Sequence, residues 1–396
     1  MAHRITKVMD KSKSKKAAGR GPRPSTKTLL ALYARSAGRC QFKGCNRVLF
    51  RDPITLVALN NTNVAHIVAS SPDGARGSVR KSHALSGCLD NLMLMCPDHH
   101  KLVDDHPEDY PVAKLREMKE EQERAVESVC EALNSDQSQI LLFTSKIKNR
   151  QAVTISKTDA IKAILPAYRP AEQTTHIDIE SGHLYRDPLY WRDAEILLCN
   201  QFNCYVASAA KLNRRIHFSV FPLAPIPLIV KLGYLIGDKI HSDVYQHRRH
   251  PDTWCWQKKN SGAFFLECRH QPRTKGKGVA LIFALSAAIS EDERNQFADH
   301  VKAKYVYEVC ADKPSVDCIS TRDDLSEFWH AYQRLVECIK TDHPRVREIS
   351  VFSAMPVSAA FEVGRRYMAG VYPRFRVYDK DFHYCEALTI GDVDGR

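Results

Sequence analysis

From residue 25 onward the apolar positions first follow a helical spacing. Ser25 is a capping residue type, Leu29, Leu30, Leu32 and Tyr33 follow it, and Gly38 marks the stop. The pattern then shortens. Residues 48–50, 55–59 and 63–69 read as short strands, with 60–63 as a turn. On the third of these, Val64 and His66 share one face while Ala65 and Ile67 take the other. The apolar stretch 90–95 leads straight into CPDHH, where a helix is expected to begin. Tyr110 and Pro111 open a long helix in which Val112, Leu115, Met118, Val126, Val129 and Leu133 recur among dense charge. That helix is expected to pack on the preceding elements or to pair with a second subunit. Residues 134–139 are polar and patternless, which places a domain boundary there.

Beyond the boundary the chain repeats itself. Ser219, Val220 and Phe221 match Ser350, Val351 and Phe352, Pro225 matches Pro356, and Gly233 matches Gly364, all at an offset of 131 positions. After a two-residue shift, Val244 and Tyr245 match Val377 and Tyr378. Each copy reads as a helical stretch (189–212, 323–339), a β-rich run, a Pro-initiated helix and another strand. Alternation of this kind predicts two Rossmann-like units with parallel sheets, fused in tandem, with halves at about 150–275 and 276–396.

The totals narrow the class. A chain of 396 residues with 44% hydrophobic residues suits two or three globular domains. A formal charge of +12 favours a polyanionic partner, nucleic acid first. Much of it sits in residues 1–24, where eight Lys and Arg residues face one acid, Asp10. This segment is expected to be a disordered basic arm, either a solvated tail or a non-specific contact with DNA phosphates. No apolar signal core and no run of about 18 apolar residues occurs, so the expected compartment is the cytoplasm, without a membrane partner. In a reducing compartment, thirteen cysteines point to metal rather than to disulfides.

Two kinds of chemistry crowd into residues 40–100. Cys40 and Cys45 flank Gly44, the residue type a tight knuckle needs, and Cys96 and His99 have the spacing of a second half-site. Three thiolates and one imidazole predict a closed, structural Zn2+ site; Cys88 is left for packing or as a replacement ligand. His66, Asn91 and His100 are residue types suited to a phosphodiester. An imidazole with a pKa near about 6.5 can deprotonate water, and a second can help hold a divalent cation. Asn91 can orient the imidazole or support the loop that carries it. Arg76 and Lys81 are either DNA-backbone contacts or solvated surface.

Cys40/Cys45, AHI at 65–67, SPDGARG at 71–77, DNLMLMC at 90–96 and His99–His100 resemble an HNH endonuclease. The resemblance implies an α+β, ββα-metal domain over 25–135 with a zinc knuckle. Its roles would be His66 as general base, Asn91 as the middle residue, and His100 as ligand of a catalytic Mg2+ or another divalent cation. Many HNH enzymes carry Asp or His before the base, where this chain has Ala65.

In open α/β sheets ligands sit beyond the carboxyl ends of the strands. Those ends fall at Leu223 and Pro225, at Ser286 after VALIFA, and at Ser353, Met355 and Pro356. Neither copy has GxGxxG, so a dinucleotide cofactor has no support. Trp254 and Trp256, expected on one strand face near Arg248, Arg249 and Lys258, suit a nucleotide or, equally, a core. SVFPLAPIPLIVKLG, VALIFALS, SVFSAMPVSAAFEVG and VYDK resemble the SAVED domain, a fusion of two CARF-like units, here over 136–396. Together the two halves resemble the HNH–SAVED effectors of bacterial anti-phage CBASS systems. That likeness implies a cyclic di- or trinucleotide activator, a double-stranded DNA substrate, and a homo-oligomer, dimer or tetramer, when active. Two other readings stay open: a modification-dependent restriction nuclease, and a non-catalytic zinc-stabilised nucleic-acid-binding protein.

Overall fold

The computed structural model describes residues 19–148, 154–185, 187, 189–381 and 383–391. Most of the basic arm, residues 1–18, lies outside the described residues. The chain divides between Leu133 and Asn134 into two compact units. Among the described residues no helix is long and apolar enough to cross a membrane.

The first unit begins with α1 (Thr26–Arg35), whose cap is Ser25: its hydroxyl accepts the Thr28 backbone N–H at 3.1 Å. Ala37 and Gly38, both at positive φ, end the helix, and the Gly38 N–H returns to the Tyr33 carbonyl. Strand β1 (Asn63–His66) pairs antiparallel with β2 (Leu92–Met95), His66 opposite Leu92. The short α2 (Ser82–Leu85) lies between them, and α3 (Pro97–Asp105) follows β2 with Cys96 as N-cap. Helix α4 (Val112–Glu131) packs on this unit through Leu115 and Met118, which join a core of Leu32, Leu49, Ile67 and the whole of β2. Each such burial contributes about 2 kcal/mol. Val129 and Leu133, read as part of the same stripe, are exposed.

Two expectations are corrected here. Residues 48–50 and 55–59 form no strands, only isolated bridges Arg39–Val48 and Arg51–Ala58. The Asp52 carboxylate takes the N–H groups of Ile54 and Thr55 into a local turn, and Ile54, Leu56 and Val57 face solvent with no core to bury them. The strand read over 63–69 stops at His66, because the Ile67 and Val68 N–H groups are taken by Asn91.

The second unit holds two parallel sheets of the same design. The first is β4 (Arg169–Ile179), β3 (Gln137–Ser145), β5 (His217–Leu223) and β6 (His241–Val244), in that spatial order. Around it are α5 (Lys157–Ile164), α6 (Leu189–Gln201), which continues through a π-helical segment into α7 (Ser208–Leu212), and α8 (Ile226–Ile236). After β6 come the two-residue strands β7 (Arg248–Arg249) and β8 (Asp252–Thr253). The second sheet runs β11 (Ala303–Ala311), β10 (Gly278–Ala284), β12 (Glu348–Ala354), β13 (Arg374–Lys380), all parallel. Antiparallel edge strands β9 (Phe265–Arg269) and β14 (Tyr384–Ile390) flank it, with α9 (Glu291–His300), α10 (Arg322–Asp342) and α11 (Val357–Arg365). The order β4-β3-β5-β6 recurs as β11-β10-β12-β13, so the sequence repeat is a structural one.

The halves differ from 150–275 and 276–396 at both ends. Strand β3, the inner strand of the first sheet, lies before residue 150, and β9 pairs with β11 of the second sheet. The polar start of β3 hides its buried centre, Ile140–Phe143, from a pattern reading of 134–139. The halves meet where α8 crosses α11. A Cβ on Gly364 would stand 1.8 Å from the Val230 carbonyl oxygen, and one on Gly233 2.1 Å from that of Phe361. Each matched glycine therefore faces the carbonyl three residues before the other glycine. The backbones touch, which only glycine permits.

Candidate functional site

In the first unit, Cys40 follows α1 and Cys45 follows Gly44, whose φ of 84° tightens the turn closed by Cys45 N–H to the Phe42 carbonyl. Cys96 and His99 come from the start of α3. The four ligand atoms lie within 4.8 Å of one another, with His99 Nδ1 at 3.7 Å from Cys40 Sγ and 3.1 Å from Cys96 Sγ. A tetrahedral zinc with Zn–S near about 2.3 Å needs ligand atoms roughly 3.3–3.8 Å apart, so the cluster would close on the ion with shifts of no more than about 1 Å. Burial pushes the Cys40 thiol up to about 12, and a divalent cation among the sulfurs would supply the charge a thiolate needs there. Burial raises Cys96 too, but the His99 N–H, Arg47 and Cys40 outweigh it and the net shift is downward. Burial and Arg47 lower His99, keeping its imidazole neutral. Its ring stacks on Phe42 at 4.1 Å, which fixes its orientation. Cys88 is exposed and bonds the Ala84 carbonyl, outside the cluster.

His66, at the end of β1, is half-buried. Its Nε2 lies 3.1 Å from the Ser86 carbonyl oxygen. A carbonyl only accepts, so Nε2 carries the proton and Nδ1 keeps its lone pair. Burial lowers the His66 pKa, opposed by the Ser86 bond and Asp104 and reinforced by His100 and Arg20. Asn91 is not a hydrogen-bond partner of the His66 ring, whose Nε2 is taken by Ser86. It is 2% exposed, and its amide accepts the Val68 N–H at 2.9 Å and donates to the carbonyls of Val68 (2.9 Å) and Leu85 (3.2 Å). Of the two roles read for Asn91, it has the loop-supporting one. His100, on α3, sets Nε2 3.5 Å from Asp104 Oδ2. Asp104 was missed by the motif reading; the signal was its i+4 position on the same helix face. Arg76 holds Asp104 Oδ1 at 2.9 Å and also bonds the carbonyls of Ile67 and Val103. With 5% of its side chain exposed it is an internal clamp, not a DNA contact. Ala65 packs in the core, so no ligand comes from that position. His100 and Asp104 thus place an imidazole nitrogen and a carboxylate oxygen side by side, both donor types that ligate divalent cations.

In the second unit, the strand-end residues lie at the carboxyl edges as expected, but unevenly open. Pro225, Met355 and Pro356 are buried, and Leu223, Ser286 and Ser353 are half-buried. Trp254 and Trp256 share no strand, since β8 ends at Thr253. Trp254 is core, edge-on to Phe221 at 5.3 Å. Arg249 points to solvent. Trp256 and Lys258 are brought together. Past β11, a cleft of about 640 Å³ is lined by Arg248, Lys258, Lys259 and Lys313 against one carboxylate, Asp317. Arg248 Nε and Asp317 Oδ1 are buried and 3.6 Å apart, each without a hydrogen-bond partner. A second cleft of about 480 Å³ shares Lys258 and Lys259 and adds Trp256 and Arg322. Trp256 Nε1 there is likewise a buried donor with no acceptor. Cations beside an aromatic face suit an anionic, ring-bearing ligand. The segment is anchored by Asp324, which accepts the N–H groups of Ser261, Ser320 and Thr321.

Residues 201–390 match the SAVED family, described as the SMODS-associated and fused to various effectors sensor domain. No curated protein matches the chain. Among solved structures, the chain is similar to an Acinetobacter baumannii Cap4 SAVED/CARF-domain containing receptor with the cyclic trinucleotide 2'3'3'-cAAA (13% identity, TM-score 0.44, 74% of this chain and 62% of that one). It is also similar to a Moraxella osloensis Cap4 SAVED/CARF-domain containing receptor (12% identity, TM-score 0.38, 74% and 60%). The chain thus spans about three fifths of the length of these receptors.

Proposed function

We propose that this chain, which carries a SAVED sensor domain over residues 201–390, is a DNA endonuclease switched on by a cyclic oligonucleotide. The observation that carries the nuclease half is His66: its Nε2 is tied to the Ser86 carbonyl and its Nδ1 is free, beside His100 and Asp104. In this reading Asn91 holds the loop beside His66, and Asp104 would stand in for the ligand that Ala65 lacks. In the mechanism, Nδ1 of His66 takes a proton from water as the water oxygen bonds to phosphorus. The bond from phosphorus to the leaving oxygen then breaks, and that oxygen takes a proton from solvent water. His100 and Asp104 would hold a divalent cation, whose role is Lewis-acid stabilisation of the phosphate and the leaving group. The Cys40, Cys45, Cys96 and His99 cluster would hold zinc as a staple between the knuckle and α3, fixing the helix that presents His100.

The gating half rests on the sensor domain and on the cationic cleft around Trp256 and Lys258. The Acinetobacter receptor holds a cyclic trinucleotide, and a ligand of that class is proposed here. To shift the active population a hundredfold, the ligand must favour the active arrangement by about 2.7 kcal/mol. A homo-oligomer is the proposed switch, since two clefts side by side would cut both strands of a duplex. The test is plasmid cleavage by the purified chain with Mg2+ or Mn2+ across a panel of cyclic di- and trinucleotides, with EDTA and His66→Ala as controls. Cleavage appearing with one or a few of the cyclic nucleotides, and lost in both controls, is the expected result. Cleavage that is equal with and without every one of them refutes the gating; no cleavage under any condition refutes the nuclease.

A further inference from the structure

We propose that Arg20 binds a phosphate of the duplex backbone beside His66 and so positions the DNA for cleavage. The proposal rests on the nuclease reading above and concerns a residue that the HNH motif does not include. The chain on both sides of Arg20 is pinned to the loop that orients His66. The Gly19 carbonyl accepts from His83 Nε2, and the Gly21 N–H donates to the Ser70 carbonyl at 2.8 Å. Gly21 lies so close to Ser86 that a Cβ would stand 2.6 Å from the Ser86 hydroxyl and 3.0 Å from the His83 Cα. Ser86 is the residue whose carbonyl holds His66 Nε2.

Arg20 thus sits on a backbone fixed within one residue of the base's own support. Its side chain is exposed, and no ion pair among the described residues occupies it. Its charge is nevertheless felt at His66, together with those of His100 and Asp104. His100 and Asp104 are engaged with each other, whereas the Arg20 guanidinium has no partner among the described residues. Phosphate is the chemistry that matches it: the fork of N–H donors fits two phosphate oxygens, and each nucleotide of a duplex brings one negative charge. Such a contact acts on binding and register rather than on the proton transfer itself.

The test uses the full chain and a fluorescein-labelled 30-base-pair duplex, in the His66→Ala background so that nothing is cut. Anisotropy titrations at several salt concentrations give the slope of log affinity against log salt. Arg20→Gln is expected to reduce that slope by about 0.9, the value for one lost phosphate contact, and Arg20→Lys to restore it while binding less tightly than the parent. Equal slopes for Arg20→Gln and its parent, or no duplex binding by either, overturn the assignment. In the cleaving protein, Arg20→Gln should raise KM for duplex about tenfold with kcat little changed. A loss of kcat at unchanged KM would make Arg20 structural instead. If the parent cuts no DNA at all, the nuclease reading fails while the salt slope still decides whether Arg20 meets phosphate.

Discussion

Replacing Gly364 by Ala tests the join between the two halves of the second unit. In an uncrowded helix the change would stabilise the fold, because alanine is favoured over glycine by about 1 kcal/mol. Here the added Cβ would lie 1.8 Å from the Val230 carbonyl oxygen and 2.8 Å from the Tyr234 nitrogen. An ordinary carbon–oxygen contact is about 3.3 Å, so the helices must separate by roughly 1.5 Å. Both obstacles are backbone, and no rotamer change can relieve them. The separation would loosen Leu228, Ile229, Val230 and Leu232 on α8 from Ala359, Ala360, Phe361 and Val363 on α11, all of them in one core. Overpacking of this kind costs about 1–3 kcal/mol or more. Even after the helix-propensity gain, a net loss of about 2 kcal/mol is expected.

All four tryptophans, Trp191, Trp254, Trp256 and Trp329, lie in this unit, so urea unfolding followed by tryptophan fluorescence reports on it alone. The midpoint should fall for Gly364→Ala and for Gly233→Ala. A rise in midpoint for either variant would refute the close crossing, since the sign itself separates crowding from propensity.

Three further outcomes follow from the first unit. Metal analysis should find one zinc per chain, falling well below one in Cys40→Ser with a lowered thermal midpoint; zinc content unchanged in that variant would dismiss the cluster as a metal site. Since burial holds the His66 pKa below 6.5, the imidazole is already neutral at pH 7. Cleavage should therefore rise with pH along a limb whose midpoint is below 6.5, and a midpoint above about 7 would argue against His66 as the base. Asn91→Ala leaves the buried N–H and carbonyl of Val68 without partners, at a cost of about 3 kcal/mol. Hydrogen exchange in residues 66–70 should accelerate; unchanged protection there would mean the amide is dispensable.

Much of the site was legible because its chemistry is local. Cys96 and His99 lie one helical turn apart, and Cys40 and Cys45 flank a glycine turn. Metal-ligand spacing of that kind survives in one dimension. The repeat was legible for a similar reason, since both copies must bury the same strand and helix faces, and so keep like residues at a constant offset. What failed was whatever depended on neighbours remote in sequence. The apolar residues at 48–59 looked like strands, but a strand needs a partner, and Asp52 offered the backbone a closer one. Trp254 and Trp256 looked equivalent, yet the first fills the core beside Phe221 and the second stands at a cationic cleft.

By itself, then, the sequence determined which residue types could do chemistry and that its second half is built twice. Only the tertiary structure decided what each residue does. It gave His66 a carbonyl on one nitrogen, turned Asn91 to the backbone of Val68, and set Asp104 beside His100. It also converted two matched glycines into the contact that joins the halves. The physical reason is that a hydrogen bond or a close packing contact is satisfied by whichever group lies within about 3 Å, and that group is chosen by the fold rather than by its place in the chain.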